Sequence, residues 1–444
     1  MKILQLAGCA RGLGAGRRIW LFGAAMVVAG AAHGAAVQVE VWHTLAGANK
    51  AEFEDLADKF NDEQEGVEVE LRSFANAQAL RAAIAEAGKK KDGAPNLIQL
   101  EDNRSPEVVA EHKSILPLYQ LLAKYPIKDM TWFLPSTSSF IRDEKGRLQA
   151  FPWMAEIPVM YYNLDYYKKA GLDITKPSTT WADLQGDLLK LRDVANLNCP
   201  YASSNQVEVH LENLAPMNRQ LYVSNNNGLA TSKAAPAFKF DTLYMRHVSL
   251  MVSWKRSLLF MAHSDDNRSD QLFAEGKCGV LMAGSGSAGA FMNTRKLSFG
   301  VAPLPYYPQV TQQPGRPFVS GSALWVLKGH SQARDKATAQ FLAWLSKPVN
   351  AAEWHQKTGY LPLTEAAFRA ADVSFYNKVP GAQALVALMK SKDDTTSRGF
   401  RMTHYDRIEP VLNQELNQAL EGKVPPVAAL NSASAQASKI VKQR

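Results

Sequence analysis

The sequence predicts an α/β fold of two lobes with short crossings between them and a helical C-terminal region. Three observations predict it. From residue 37 onward, apolar residues switch between period two and period 3.6, reading strand–helix–strand–helix–strand, as in a parallel sheet flanked by helices. A second series of strand-like runs follows between residues 150 and 305. From residue 332 the pattern is mostly helical, and no long linker separates the two halves.

Each element has its own reason. "VQVEVW" (37–42) and "VEVELRSF" (67–74) alternate as strands, and "NLIQL" (96–100) is a short buried strand. Between them, 50–63 repeats Phe53, Leu56, Ala57 and Phe60 at helical spacing, and 77–90 is Ala-rich and helical. The run 150–163 is extended and apolar. Residues 179–194 form an amphipathic helix opening on a Thr cap. "PYASS", "CGVLMA", "FGVAPLP" and "SALWVLKG" are further strands. Helices are expected over 333–345, 350–357, 381–392, 405–421 and 427–442.

Residues 1–34 stand apart. Arg11, Arg17 and Arg18 precede an apolar run (19–32) and small residues (32–36), the layout of a secretory signal cleaved near Gly34 or Ala36. The run is shorter than a membrane span, which needs about 20 apolar residues. "LAGC" at 6–9 resembles a lipoprotein box but lies before the apolar run, where such a box does not act. Removing this segment takes away four bases and no acid, so the formal charge falls from +8 to +4. No Lys/Arg block remains to bind nucleic acid. Cys199 and Cys278 stay, each at the start of a strand-like run; they are either a disulfide or two buried thiols. Their number and spacing make no zinc site.

The motifs that invite chemistry resolve poorly into an enzyme. "GSGSAG" (284–289) matches G-x-G-x-x-G after a strand, but a dinucleotide fold also needs an acid about 20 residues on. No Asp or Glu stands between Glu275 and Asp335. Two readings of the turn remain: a tight turn, or amides and hydroxyls offered to an anion, near Lys277, Arg295, Lys296, Arg316, Lys328 and Arg334. His355 has no nucleophile beside it, no G-x-S-x-G elbow exists, and no paired His spacing suits a metal. The expectation is no catalysis and no cofactor. Trp42 and His43 end the first strand, where ligands of open α/β sheets bind. Glu101 and Asp102 end the strand "NLIQL", and Glu156 lies in the extended crossing "PWMAEIP".

Taken in order, "VWHT", "PVMYYNLDYYKKAGLD" (158–173), "TWADL" (180–184), "HLEN" (210–213), "SNNNG" (224–228), "SALWV" (322–326) and "NAAEWHQKTGYLP" (350–362) resemble the family 1 extracellular solute-binding proteins of ABC transporters. More narrowly they resemble its glycerol-phosphate-binding branch. The resemblance implies a periplasmic-binding-protein fold: an N-terminal lobe of 35–155 and 304–355, and a C-terminal lobe of 156–303 and 356–444. It implies a periplasmic monomer that closes on a phosphate ester or polyol and docks on permease subunits in the inner membrane. The ligand is then glycerol 3-phosphate or a glycerophosphodiester, with a sugar as the alternative and a secreted hydrolase as a remote one.

The family's ligand positions carry over as Gly321, Tyr360 and Arg401. Departures fall at Asn76 (family Tyr), Asp102 (Glu), Glu156 (Ser) and Gly284 with Ser285 (Ser), and polar residues around Asn205 and Glu208 replace tryptophans. A carboxylate at Glu156 is expected to repel a phosphate dianion and to favour a zwitterionic diester.

Overall fold

In the computed structural model, residues 35–89, 93–101, 113–128, 130–134, 140–143, 145–232, 234–390 and 395–443 are described. The 1–34 segment and Asp102 lie outside the described residues.

The first sheet forms where the sequence alternates. β1 (Val37–His43) runs parallel to β2 (Val67–Ser73) and to β3 (Leu97–Glu101). The helix Gly47–Asp62 between β1 and β2 buries Phe53, Leu56, Ala57 and Phe60, the residues at helical spacing. β4 (Ile115–Leu116) and β5 (Phe151–Glu156) both pair with β11 (Ser320–Leu327), which returns from far along the chain to lie antiparallel to β3. The order is β2-β1-β3-β11-β4, with β5 off β11.

The second sheet contains β6 (Pro158–Asn163), β7 (Cys199–Ser203), β8 (Phe260–His263), β9 (Cys278–Gly284) and β10 (Phe299–Pro303), in the order β10-β6-β9-β7-β8. Its central strands are covered on both faces, which explains their unbroken apolar runs. Val159 and Tyr161 of β6 and Leu281 and Ala283 of β9 join one core with the first sheet. Met160 and Tyr162, with Val280 and Met282, pack into a second core. The C-terminal helices Tyr405–Leu420 and Pro426–Ile440 close that second core with Ile408, Leu412, Leu416 and Leu430.

Cys199 and Cys278 occupy paired positions on the parallel strands β7 and β9, with Cα atoms 4.5 Å apart, and form a disulfide. Of the two readings open in the sequence, pairing is the one realised.

The chain passes between the sheets in three places. Ile157 alone separates β5 from β6. Residues 304–319 lead from β10 to β11. The helix Pro348–Thr358 ends on Gly359, whose φ of 85° and whose approach to the Ser285 carbonyl leave no room for a Cβ. Among the described residues no helix is long and apolar enough to cross a membrane.

Candidate functional site

These crossings meet at the floor of a cleft of 1320 Å³ between the two sheets. The backbones are stitched together there: Ser285 N donates to Ile157 O at 2.8 Å, Leu361 N donates to Ala155 O at 2.7 Å, and Gly321 pairs with Ala155. Glu156, at the end of β5, projects into this junction. Its Oε2 accepts from Gly286 N at 2.8 Å. A Cβ on Gly284 would fall 2.3 Å from Glu156 Oε2, one on Gly286 would fall 2.5 Å from the Tyr360 ring, and one on Gly321 (φ 94°) would meet Met154 O at 2.3 Å. The glycines are there because a carboxyl group and an aromatic ring occupy the space a side chain would need.

Tyr360 follows the Gly359 turn and stacks on Trp354 at 5.6 Å, which stacks on Trp153 at 5.0 Å. Asn49 beside it donates to Gly286 O at 3.0 Å. Burial raises the Tyr360 phenol above its ordinary range, so it stays a neutral donor. His355, one turn earlier, is buried. Its Nδ1 lies 2.5 Å from the Tyr360 carbonyl and its Nε2 2.9 Å from the Tyr376 hydroxyl. The imidazole therefore donates through Nδ1 and accepts through Nε2, and burial lowers its pKa to about 4. It fastens the Tyr360 turn.

Among the described residues, eight carboxylates line the cleft against two bases, Arg81 and Lys423, and Lys423 is paired with Glu421 at 2.5 Å. Burial, with the charges of Glu208 and Asp270, pushes Glu156 up to about 8. Glu208 is raised to about 7 by burial and by Glu409. Asp270, raised to about 6 by burial, accepts from Ser204 and Ser287 at 2.5 Å each. Glu212, also buried, lies well above the usual carboxyl range and accepts from the Tyr405 hydroxyl.

Glu156, Gly284, Gly321 and Tyr360 are thus brought to one place, with Ser285 directly behind them: Ile157 N donates to its Oγ at 3.4 Å. Other candidates stand elsewhere. His43 is buried in the first core against Phe53, its Nδ1 accepting from Leu45 N at 3.2 Å, and Trp42 packs on Phe74 under Arg72. Their side chains are taken up by this packing, and the next residues, Thr44 and Leu45, line the cleft instead. Asn76 is an exposed N-cap, its Oδ1 accepting from Ala79 N at 2.9 Å. Arg401 follows the lining residues Gly399 and Phe400, and its guanidinium donates to the Arg142 carbonyl.

The Gly/Ser turn does receive an acid at its amide, but the acid is Glu156 of this chain. None of the six bases proposed around it lines the cleft; Lys277 pairs with Glu275, Arg316 donates to the Met389 carbonyl, and Arg334 donates to Asn96. The acidic group Glu52, Asp55 and Glu353 is an ion-pair network bridged by Lys59 and Lys357.

Glu212, Glu409 and the aromatic pair Phe318 and Phe400 were not expected in the cleft. The only sequence signal was the pair of glutamates four residues apart in "QVEVHLENL".

Comparison with known proteins agrees with this architecture. A family profile described as bacterial extracellular solute-binding protein matches residues 55–381. The sn-glycerol-3-phosphate-binding periplasmic protein UgpB of Yersinia pseudotuberculosis is 34% identical over 403 residues, covering 90% of this chain and 91% of the relative. The protein of the same name from Escherichia coli K12 is 31% identical, covering 92% and 93%. Among solved structures, UgpB of Mycobacterium tuberculosis in complex with glycerophosphocholine has a TM-score of 0.71 at 18% identity, covering 91% of this chain and 98% of that one. A cyclic maltosyl-maltose-binding protein of Arthrobacter globiformis has a TM-score of 0.69 at 21% identity, covering 92% and 99%.

Proposed function

Because the chain belongs to the bacterial extracellular solute-binding protein family, and so serves an ABC importer as its non-enzymatic, periplasmic binding component, we propose that its cleft captures glycerol 3-phosphate or a glycerophosphodiester. The observation that carries this reading is the floor formed by Glu156, Gly284, Gly286, Gly321 and Tyr360. It offers a phenol hydroxyl, a carboxyl group and closely approachable backbone, all suited to a small hydroxylated ester.

The raised pKa of Glu156 removes the objection that a carboxylate repels phosphate. At neutral pH the group is mostly protonated and is a hydrogen-bond donor as well as an acceptor. Similarity to the UgpB proteins supports the same ligand class. In this reading residues 35–155 and 304–355 form one jaw, 156–303 and 356–444 the other, and the closed form, stabilised by ligand contacts to both, docks on the permease. Arg401 reaches the ester's phosphate on closure, leaving the Arg142 carbonyl.

The test is calorimetry of the purified protein with glycerol 3-phosphate, glycerophosphocholine and maltose. Binding of either phosphate compound, weakened by about 1.5–3 kcal/mol in Arg401→Ala, is expected, the scale of a charged hydrogen bond. Binding of maltose alone would replace this reading with a sugar-binding one.

A further inference from the structure

The segment "SNNNG" (224–228) takes no part in the floor, yet its backbone is unusual. Asn225, Asn226, Asn227 and Gly228 are consecutive and all left-handed, with φ of 56°, 53°, 58° and 71°. Left-handed backbone crowds a Cβ against the following carbonyl. Glycine escapes this, and asparagine tolerates it better than most residues, but singly rather than in runs. Such a conformation persists only where the surroundings over-determine it.

The contacts show what holds it. Asn227 is buried, and its Oδ1 accepts from Tyr222 N at 2.8 Å and from Val223 N at 3.1 Å. Its Nδ2 donates to Thr396 O at 3.2 Å, and its own carbonyl accepts from Arg401 N at 2.8 Å. A Cβ on Gly228 would fall 1.9 Å from the Arg401 carbonyl oxygen, so only glycine lets the two backbones meet. Both ends of 396–401 are therefore tied to one turn. Between those ties the segment has no helix or strand of its own, and it places Gly399 and Phe400 on the cleft wall. The Phe400 ring packs on Tyr222 at 5.0 Å, just before the turn, and the Arg401 guanidinium extends to the Arg142 carbonyl.

We propose that Asn227 and Gly228 are positioning residues for ligand binding. The left-handed turn is a seat for the Arg401 backbone, its amide on Asn227 and its carbonyl against Gly228. Only the side chain then moves between the Arg142 carbonyl and the ligand. Ordering one side chain costs less than ordering a loop with it, and the difference appears as affinity. The proposal rests on the reading that Arg401 meets the ester's phosphate, while the seat stands on its own contacts.

A double-mutant cycle tests it. Calorimetry with glycerol 3-phosphate and glycerophosphocholine is run on the wild type, Gly228→Ala, Arg401→Ala and the double variant, and hydrogen exchange is followed over 396–402. Gly228→Ala should weaken the phosphate ligand by about tenfold or more and speed exchange in that segment. With Arg401→Ala already in place, it should weaken binding by less than about threefold, because the group it acts through is gone. Asn227→Gly keeps the left-handed backbone, removes only the side-chain bonds, and should behave the same way to a smaller degree; it carries the cycle if Gly228→Ala does not fold. Equal losses in both backgrounds, or exchange over 396–402 that no variant changes, overturns the positioning role and leaves Arg401 as a ligand residue. If the wild type binds neither phosphate compound, the ligand reading fails, and exchange decides the turn. Deprotection confined to 396–402 then supports the seat, and unchanged protection overturns it.

Discussion

At the residue scale, the cleft is governed by which carboxyl groups keep their protons. Glu156, which the family resemblance set at a serine position, was expected to act as a repelling anion. Its burial, and the acids around it, instead hold it protonated up to a pH of about 8. Glu156→Gln copies the protonated form, so it should bind a phosphate ester at pH 7 about as well as the wild type. As pH rises through about 8 the wild type should lose affinity and the variant should not. Calorimetry at pH 7 and pH 9 measures this; parallel pH profiles for the two proteins would show that Glu156 does not face the phosphate. Tyr360 and Gly321 come from the family resemblance and Gly284 is a departure from it; all three line the cleft. Asn76 does not. An Asn before "AQAL" is also an N-cap, and the cap is what it became.

Elements were legible where one periodicity dominates. The helix Tyr405–Leu420 buries Ile408, Leu412 and Leu416 on one face, and β6 and β9 read as apolar runs because both their faces are covered. The segment "QVEVHLENL" shows where pattern misleads. Val207, Val209 and Leu211 alternate with polar residues as in a strand, yet Glu208–Glu212 closes into a π-helical turn. Burial of His210 against His247 at 3.0 Å, and of Glu212 against Tyr405, decides that backbone, and these partners lie far away in sequence.

The disulfide belongs to this scale too. It closes a loop with a sequence separation of 79 between adjacent strands. Chain-entropy arguments then assign it up to about 4.5 kcal/mol, with about 2–4 expected in practice. A Cys199→Ser, Cys278→Ser double variant should unfold at correspondingly lower urea; an unchanged midpoint would mean that packing alone holds β7 to β9.

Across the whole molecule, stability should depend on pH through two opposed sets of groups. The folded values of Glu156, Glu208 and Asp270 are raised to about 8, 7 and 6. The folded state therefore holds protons that the unfolded chain has released, and this stabilisation is lost as pH rises through those values. Burial lowers His43, His263 and His355 to about 4 and His247 to about 3, from 6.5. Below pH 6.5 the unfolded chain takes up protons that these buried rings refuse, and stability falls again. The ligand-free protein should melt highest at about pH 6 and clearly lower at pH 8.5. A melting temperature that climbs steadily to pH 8.5 would mean that the cleft carboxyls are ionised throughout.

The single-residue crossing at Ile157 has a consequence in time. Ser285, Leu361 and Gly321 are all tied by backbone pairing to residues 155–157, so the floor sits where the three crossings converge and moves least when the lobes swing. Under the proposed function, the ligand then meets a preassembled floor. In stopped-flow traces, changes at Tyr360 should alter the rate of capture.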